Sequence, residues 1–231
     1  SLVFPSSLEK IYYRAFLGNA AENLVIQSDI EYPYGSGSHT EAYGGMCNNL
    51  KTASVSGATN IYRSMFANCT SLTSVTLGDS VTQIGQEAFR RTSSLTSITL
   101  PSGLTLIDSS AFANSGLTSI EIPNTVTTMA SNAFSATKLV TLSIPGSLTS
   151  IPYGAFQDIY TLESVTIGEG ITSIGSYAFD VGTSQTSLTS VTLPSTLTNI
   201  QSYAFQGNTS LTSIDFPEGL KTIGQQAFYN V

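Results

Sequence analysis

From Leu72 the chain falls into a fixed rhythm. Leu72 is followed by Ser74-Val75-Thr76-Leu77, polar and apolar in turn, the period of a strand with one buried face. Gly78 then stops the strand and turns the chain. Apolar residues return at wider intervals, at Val81, Ile84 and the pair Ala88-Phe89. The same order restarts at Leu95, Leu117, Leu139, Leu162, Leu188 and Leu211, with Pro101, Pro123, Pro145, Gly168, Pro194 and Pro217 at the stop. A looser copy precedes these, running Leu50, Ala53, Val55, Ala58, Ile61, Phe66. The chain opens inside a unit: Phe4-Pro5 falls where Leu100-Pro101 does, followed by Leu8, Ile11 and Ala15-Phe16.

The phenylalanines give the period. From Phe66 they are spaced 23, 23, 22, 22, 23, 26 and 23 residues apart, and nine of the chain's eleven occupy this one slot. Self-similarity at that interval means stacked supersecondary units, none of which buries its apolar face alone. The pattern therefore predicts a β-rich repeat solenoid of about 22–23-residue units, one array over residues 1–231, with a truncated unit at each end. A parallel sheet is expected on one face, and short extended or single-turn segments return on the other. The Ala before each Phe leaves room for the ring to enter between coils, and the end units are expected to fray first.

Composition narrows the function classes. Only 10% of residues are charged while 41% are hydrophobic, so Ser and Thr are expected to carry solubility. The net charge is −7, and the eight Lys and Arg are scattered, with only Arg90-Arg91 adjacent. Nucleic acid and anionic membrane surfaces are poor partners for such a chain. No run approaches the ~18 apolar residues of a membrane span. Catalysis finds no support: there is one His, no G-x-S-x-G or phosphate-loop motif, and Glu87, Asp108, Asp158 and Glu163 fall at different offsets in the repeat. No cofactor or metal is expected.

The run Leu-Thr-Ser-Val-Thr-Leu-Gly/Pro, then Ile-Gly, then Ala-Phe, with the junction Asn68-Cys69-Thr70-Ser71-Leu72, resembles the BspA-like leucine-rich repeats. The likeness covers residues 2–16 and 46–228. It differs from the commoner leucine-rich repeat, in which an Asn follows the strand; Gly or Pro holds that place here. The resemblance implies a curved leucine-rich-repeat solenoid with its strands on the concave side. It also implies an extracellular or cell-surface protein, its signal peptide removed, that takes part in adhesion. It carries over no catalytic residue.

Candidate binding residues cluster where the period breaks. Residues 24–45 match the template poorly, and we expect an irregular insertion there holding Glu31, Tyr32, Tyr34, His39 and Tyr43 among Gly and Ser. Tyr anchors beside flexible small residues suit an adaptable recognition loop for a protein or glycan ligand. Asp180 to Thr186 adds about three residues and reads as a harmless bulge. The outward strand positions, such as Ser74, Thr76, Ser97, Thr99, Ser119 and Glu121, form a hydroxyl-rich row without aromatic anchors, a poor hot spot. Tyr177 and Tyr203 recur in register before Ala-Phe, with Tyr153 close by, and packing explains them more simply than contact. Cys47 and Cys69 share one slot on adjacent coils, roughly 4.8 Å apart, compatible with two buried thiols or with a disulfide. The last unit, Phe228-Tyr229-Asn230-Val231, has no polar cap, so an open apolar end is expected, met either by more protein beyond it or by end-to-end self-association. A spacer displaying other domains is the alternative function, and a polysaccharide-active parallel β-helix enzyme a weaker one.

Overall fold

The computed structural model describes residues 1–9, 20–30, 47, 49–182 and 186–231. Fifteen strands are found among them. In chain order they are β1 (Leu2–Phe4), β2 (Asn23–Ile26), β3 (Thr52–Val55), β4 (Asn60–Ile61), β5 (Ser74–Leu77), β6 (Gln83–Ile84), β7 (Leu106–Ile107) and β8 (Thr128–Met129). There follow β9 (Thr141–Ile144), β10 (Ser150–Ile151), β11 (Ser164–Ile167), β12 (Ser173–Ile174), β13 (Ser190–Thr192), β14 (Asn199–Ile200) and β15 (Thr222–Ile223). Every pairing is parallel and joins one coil to the next, as in Ala53↔Val75 and Leu142↔Val165↔Val191. This is the β-solenoid that the repeat pattern predicts.

The two halves of the repeat contribute strands to different sheets. The alternating segment supplies the longer ones, paired in the orders β1-β2-β3-β5 and β13-β11-β9. Their inward residues are buried, as in β9, where Leu142 and Ile144 lie inside and Thr141 and Ser143 face solvent. The returning half supplies two-residue strands in the orders β4-β6-β7-β8 and β10-β12-β14-β15. One core cluster runs through the stack from Phe4 to Ala227.

The longer-strand face is not the most continuous seam. Between β5 and β9, residues 96–99 and 118–121 form no strand, and the main-chain links there are few, with Thr118 N donating to Thr96 O at 2.9 Å and Val140 N to Thr118 O at 3.2 Å. The Ala-Phe turns are joined at every junction instead. Glu87, Phe89 and Arg91 donate to Ser109, Ala111 and Ala113 of the next coil at 2.9, 2.7 and 2.9 Å. The same triplet repeats to the last junction, where Tyr203, Phe205 and Gly207 donate to Gln225, Ala227 and Tyr229. Two left-handed residues make this possible: one directly before the Ala (Glu87, Ser110, Asn132, Tyr177, Tyr203) and one two after the Phe (Arg91, Asn114, Ala136, Asp158). They bracket the turn so that alternate N–H groups aim at the next coil.

Inside this ladder the rings form one column. Phe66, Phe89, Phe112, Phe134, Phe156, Phe179, Phe205 and Phe228 stack pairwise with centroids 5.1–5.5 Å apart and planes within 14° of parallel. Ala88, Ala111, Ala133, Ala155, Ala178 and Ala204 are fully buried beside the rings, so the small residue makes the space expected of it.

The hydroxyl residues do more than solubilise. Thr82, Thr105, Thr172 and Thr198, each one residue after the same apolar slot, donate Oγ1 to a backbone carbonyl of the preceding coil at 3.0–3.4 Å. Thr73, Thr118 and Thr189, each following the leading Leu, do the same at 3.1–3.3 Å. The side chain thus supplements the interstrand ladder at two points of the coil.

Two expectations change. The insertion expected over 24–45 begins late: Leu24 and Ile26 are buried in β2, aligned with Ala53 and Val55, and Ile30 is buried as well. The match is hidden in the sequence because Ala21 stands where Leu50 and Leu72 open their units. The cysteine question is also answered. Cys47 and Cys69 are joined as a disulfide, with Cα atoms 4.2 Å apart. At a sequence separation of 22 residues, the loop-closure model gives the link about 3 kcal/mol. Reduction is therefore expected to lower the melting temperature measured by circular dichroism. Two free thiols titrated in unreduced protein would show that the bridge does not form.

The bulge at 180–186 leaves the solenoid in register, since Val165 pairs with Val191 across a 26-residue step. Buried Asp180 anchors it by accepting from Gly182 N at 2.9 Å and from Gln157 Nε2 at 3.0 Å. Gly207 stacks on it from the next coil at φ +79°, and a Cβ there would collide with the carbonyl of Gly182.

Candidate functional site

The residues singled out at the period break, Glu31, Tyr32, Tyr34, His39 and Tyr43, lie outside the described residues. What the structure places is their anchorage. The preceding segment ends in buried Ile30, and the following one starts at the Cys47–Cys69 bridge. Both are on coils adjacent to the regular array.

The strand face carries its hydroxyls outward as expected. Ser74, Thr76, Ser97, Thr99, Ser119, Glu121, Thr141, Ser143 and Thr166 are exposed or nearly so, and no aromatic side chain interrupts the row. Hydrogen-bonding capacity is spread evenly over it, which favours weak, distributed contact over a focused site.

A polar groove opens on the two-residue-strand face. Its volume is about 390 Å³, and Asn60, Tyr62, Arg63, Gln83, Gln86 and Asp108 line it. These residues come from three successive coils. Sequence reading missed them because each is variable within its own repeat slot, and only stacking brings them together.

A second aromatic column lies outside the Ala-Phe ladder. Tyr177 and Tyr203 stack at 4.8 Å and 11°, and Tyr153 meets Tyr177 at 5.4 Å with a tilt of 55°. Tyr153 is 49% exposed. Loss of water around the ring, with Tyr203, Tyr153 and Asp180 nearby, raises the Tyr177 phenol above its ordinary value. Earlier in the Tyr177 coil, Glu169 accepts from the backbone N–H and the hydroxyl of Ser195 of the next coil, both at 2.9 Å, which holds its carboxyl below the usual range. The Tyr register noted in the sequence is therefore packing and surface at once.

Phe216, Ile223, Tyr229 and Val231 are 43–51% exposed, and Phe216, Ile223 and Val231 border an apolar cleft of about 410 Å³ with Leu211 and Phe228. The sequence holds two N-x-Ser/Thr glycosylation sequons, at Asn68-Cys69-Thr70 and Asn208-Thr209-Ser210, and the second is closed to modification in the folded state. Asn208 is 2% exposed, and its Nδ2 donates to Phe179 O and Phe205 O, both at 2.9 Å.

Among the described residues, no group of three or more His, Cys, Asp or Glu is placed to hold a metal ion. No described helix is long and apolar enough to cross a membrane.

Comparison with known proteins follows the geometry. A model of the BspA type leucine rich repeat region matches residues 59–184 and 183–231 with six copies. The T. pallidum Leucine Rich Repeat protein aligns with a TM-score of 0.64 at 23% identity, over 91% of this chain and 97% of that one. A leucine-rich repeat protein from Bacteroides ovatus aligns with a TM-score of 0.56 at 20% identity, over 95% of this chain and 87% of that one. At these identities the two structures are alike in fold. No curated protein sequence matches the chain. The matched repeats span 59–231, 173 of the 231 residues, and carry the Phe column and both strand series, so the chain belongs to the BspA-type leucine-rich repeat family.

Proposed function

We propose that this chain is a non-catalytic binding module of an extracellular or cell-surface protein, adhesin-like in that it holds a protein or glycan ligand. The observation that carries the reading is the long, regular side of the solenoid. Its coils repeat the same buried framework while their outward residues vary into distinct patches, such as the groove at Arg63 and Asp108. A rigid scaffold that presents variable surface residues is the economy of repeat proteins that bind by surface rather than by a catalytic cleft. The family supports the extracellular or cell-surface placement, and the low charge with few cations is in keeping with a partner other than nucleic acid. Self-association through Phe216, Ile223, Tyr229 and Val231 belongs to the same reading, because their exposed side chains offer it an apolar surface.

A second reading, a spacer that displays other domains, is favoured by the strand face with its uniform hydroxyls. One screen separates the two. The chain is immobilised and exposed to a glycan array and to extracellular-matrix proteins. Replacing Tyr32, Tyr34 and Tyr43 together with Ala is expected to weaken the strongest hit at least tenfold without moving the melting temperature. Unchanged affinity removes that segment as the site, and an empty screen turns the reading to the spacer.

A further inference from the structure

We infer that the groove between Tyr62 and Asp108 binds a neutral sugar unit through its ring hydroxyls, with Arg63 and Asp108 as the two anchoring groups. This rests on the binding-module reading and places a glycan site within it.

The groove interrupts a regular wall. Gly85 follows Ile84 where Tyr62 follows Ile61 and Asp108 follows Ile107. Its backbone lies so close to the preceding coil that a Cβ would sit 2.9 Å from Ile61 O and 3.0 Å from Arg63 N, so Gly is what fits there. The missing side chain leaves a gap one coil wide, with Tyr62 on one side and Asp108 on the other. Gly175 stands in the same slot, but there Gln201 Oε1 reaches back from the next coil and accepts from Ser176 N and Oγ, both at 3.2 Å. At the Gly85 gap Asp108 turns to its own neighbour instead. Its Oδ1 accepts from Ser109 N at 2.6 Å, and Oδ2 has no partner among the described residues.

The charges around this gap do not recur along the array. From Ile61 to Ile223, the two positions after each repeated Ile (Met129 in one coil) hold one cation, Arg63, and one carboxylate, Asp108. Among the described residues neither belongs to an ion pair, whereas Lys51–Glu22 and Arg90–Glu87 are closed at 2.7 and 3.3 Å. Both therefore keep hydrogen-bonding capacity for something else. The carboxamides of Gln83 and Gln86 complete the rim.

A sugar ring carries neighbouring hydroxyls that donate and accept at once. A guanidinium donates to two of them through its planar fork, a carboxylate accepts from two, and a carboxamide does one of each. Tyr62, half-buried against the core, offers an apolar wall to the ring C–H groups. The opposite charges select a ligand without net charge. An acidic sugar gains at Arg63 and loses at Asp108, and an amino sugar does the reverse. The volume of about 390 Å³ lies near the lower end of the roughly 300–1,000 Å³ of small-ligand sites, which suits one or two sugar units rather than a long segment.

Saturation-transfer NMR on the whole chain tests the proposal, with methyl glycosides of glucose, galactose and mannose beside glucuronate, glucosamine and 6-aminohexanoate. At least one neutral glycoside should receive saturation, at threefold or more the level of either charged sugar. Arg63→Gln and Asp108→Asn should each cut that signal at least threefold at an unchanged melting temperature, since Asn keeps the oxygen that accepts from Ser109 N. The charged sugars should answer in opposite senses, glucuronate gaining in Asp108→Asn and glucosamine in Arg63→Gln. Lys138→Gln, outside the groove, should leave all signals as they were, and an equal loss there overturns the inference. So does the absence of transfer to every neutral glycoside, or a neutral signal unchanged in both groove variants. A strongest signal from 6-aminohexanoate overturns it in favour of a dipolar ligand. A glycan hit from the immobilised-chain screen that binds both variants as well as the unaltered chain overturns it while leaving the binding-module reading in place.

Discussion

Phe156→Ala is expected to lower the unfolding free energy by about 4 kcal/mol, the upper part of the range for a buried ring cut to a methyl. Phe156 is 1% exposed and stacks on Phe134 and Phe179, both at 5.5 Å and with planes within 10°. Truncation removes the ring from two stacked pairs and leaves a void that cannot collapse. Main-chain bonds above and below, Phe134 N to Ala155 O at 2.8 Å and Phe156 N to Ala178 O at 2.9 Å, fix the distance between coils. Because each coil contacts only its neighbours, the loss falls on one interface and uncouples the two halves. Urea denaturation should therefore show a lower midpoint together with a shallower slope, the sign of lost two-state behaviour. Phe156→Leu retains most of the volume and should cost clearly less. A Phe156→Ala loss below about 1 kcal/mol, against the usual cost of such cavities, would mean that the column is not what holds the stack.

Asn208→Leu is expected to cost about 3 kcal/mol, even though the new side chain is of similar size and apolar. The amide of Asn208 supplies both donors for two buried carbonyls, Phe205 O in its own coil and Phe179 O in the one before. Leu would leave Phe179 O without that donor and Phe205 O with only the 3.4 Å bond from the backbone N–H of residue 208, and an unsatisfied buried acceptor costs roughly 1–3 kcal/mol. In the equivalent slot Thr92 and Thr137 satisfy only the local carbonyl, Phe89 O at 2.8 Å and Phe134 O at 2.9 Å. The wider reach of Asn belongs to the one junction where three extra residues enter the coil. Chemical denaturation of Asn208→Leu beside Thr137→Val checks this, and an equal loss in both would refute the two-acceptor role.

Much of this architecture is legible in the order of residues. Burial repeats with the chain's own period, so Leu72, Val75, Val81, Ile84 and Phe89 announce their positions without reference to any other coil, and all are buried. The Ala beside each ring and the strand stops follow from the same local logic. The disguised coil at Leu24 and Ile26 escaped because Ala21 broke its opening slot, although the alternation after it was intact.

Other features depended on which residues end up one coil apart. Asn208 reads as a glycosylation sequon until Phe179 O, 29 residues away, is placed within reach of its amide. The disulfide could not be chosen over two thiols from spacing alone, since shared register sets proximity but not bonding. The continuous hydrogen-bonded seam lies on the Ala-Phe turns rather than on the longer strands because left-handed residues bracket those turns, and Ser, Glu, Asn and Tyr all fill that conformation without a common signature. The Tyr strip and the Arg63 groove likewise arise from residues that vary within each repeat. A periodic pattern specifies what every coil shares, because burial acts on each unit separately. What differs between coils acquires meaning only across the spacing between them, and that spacing is set by the stack.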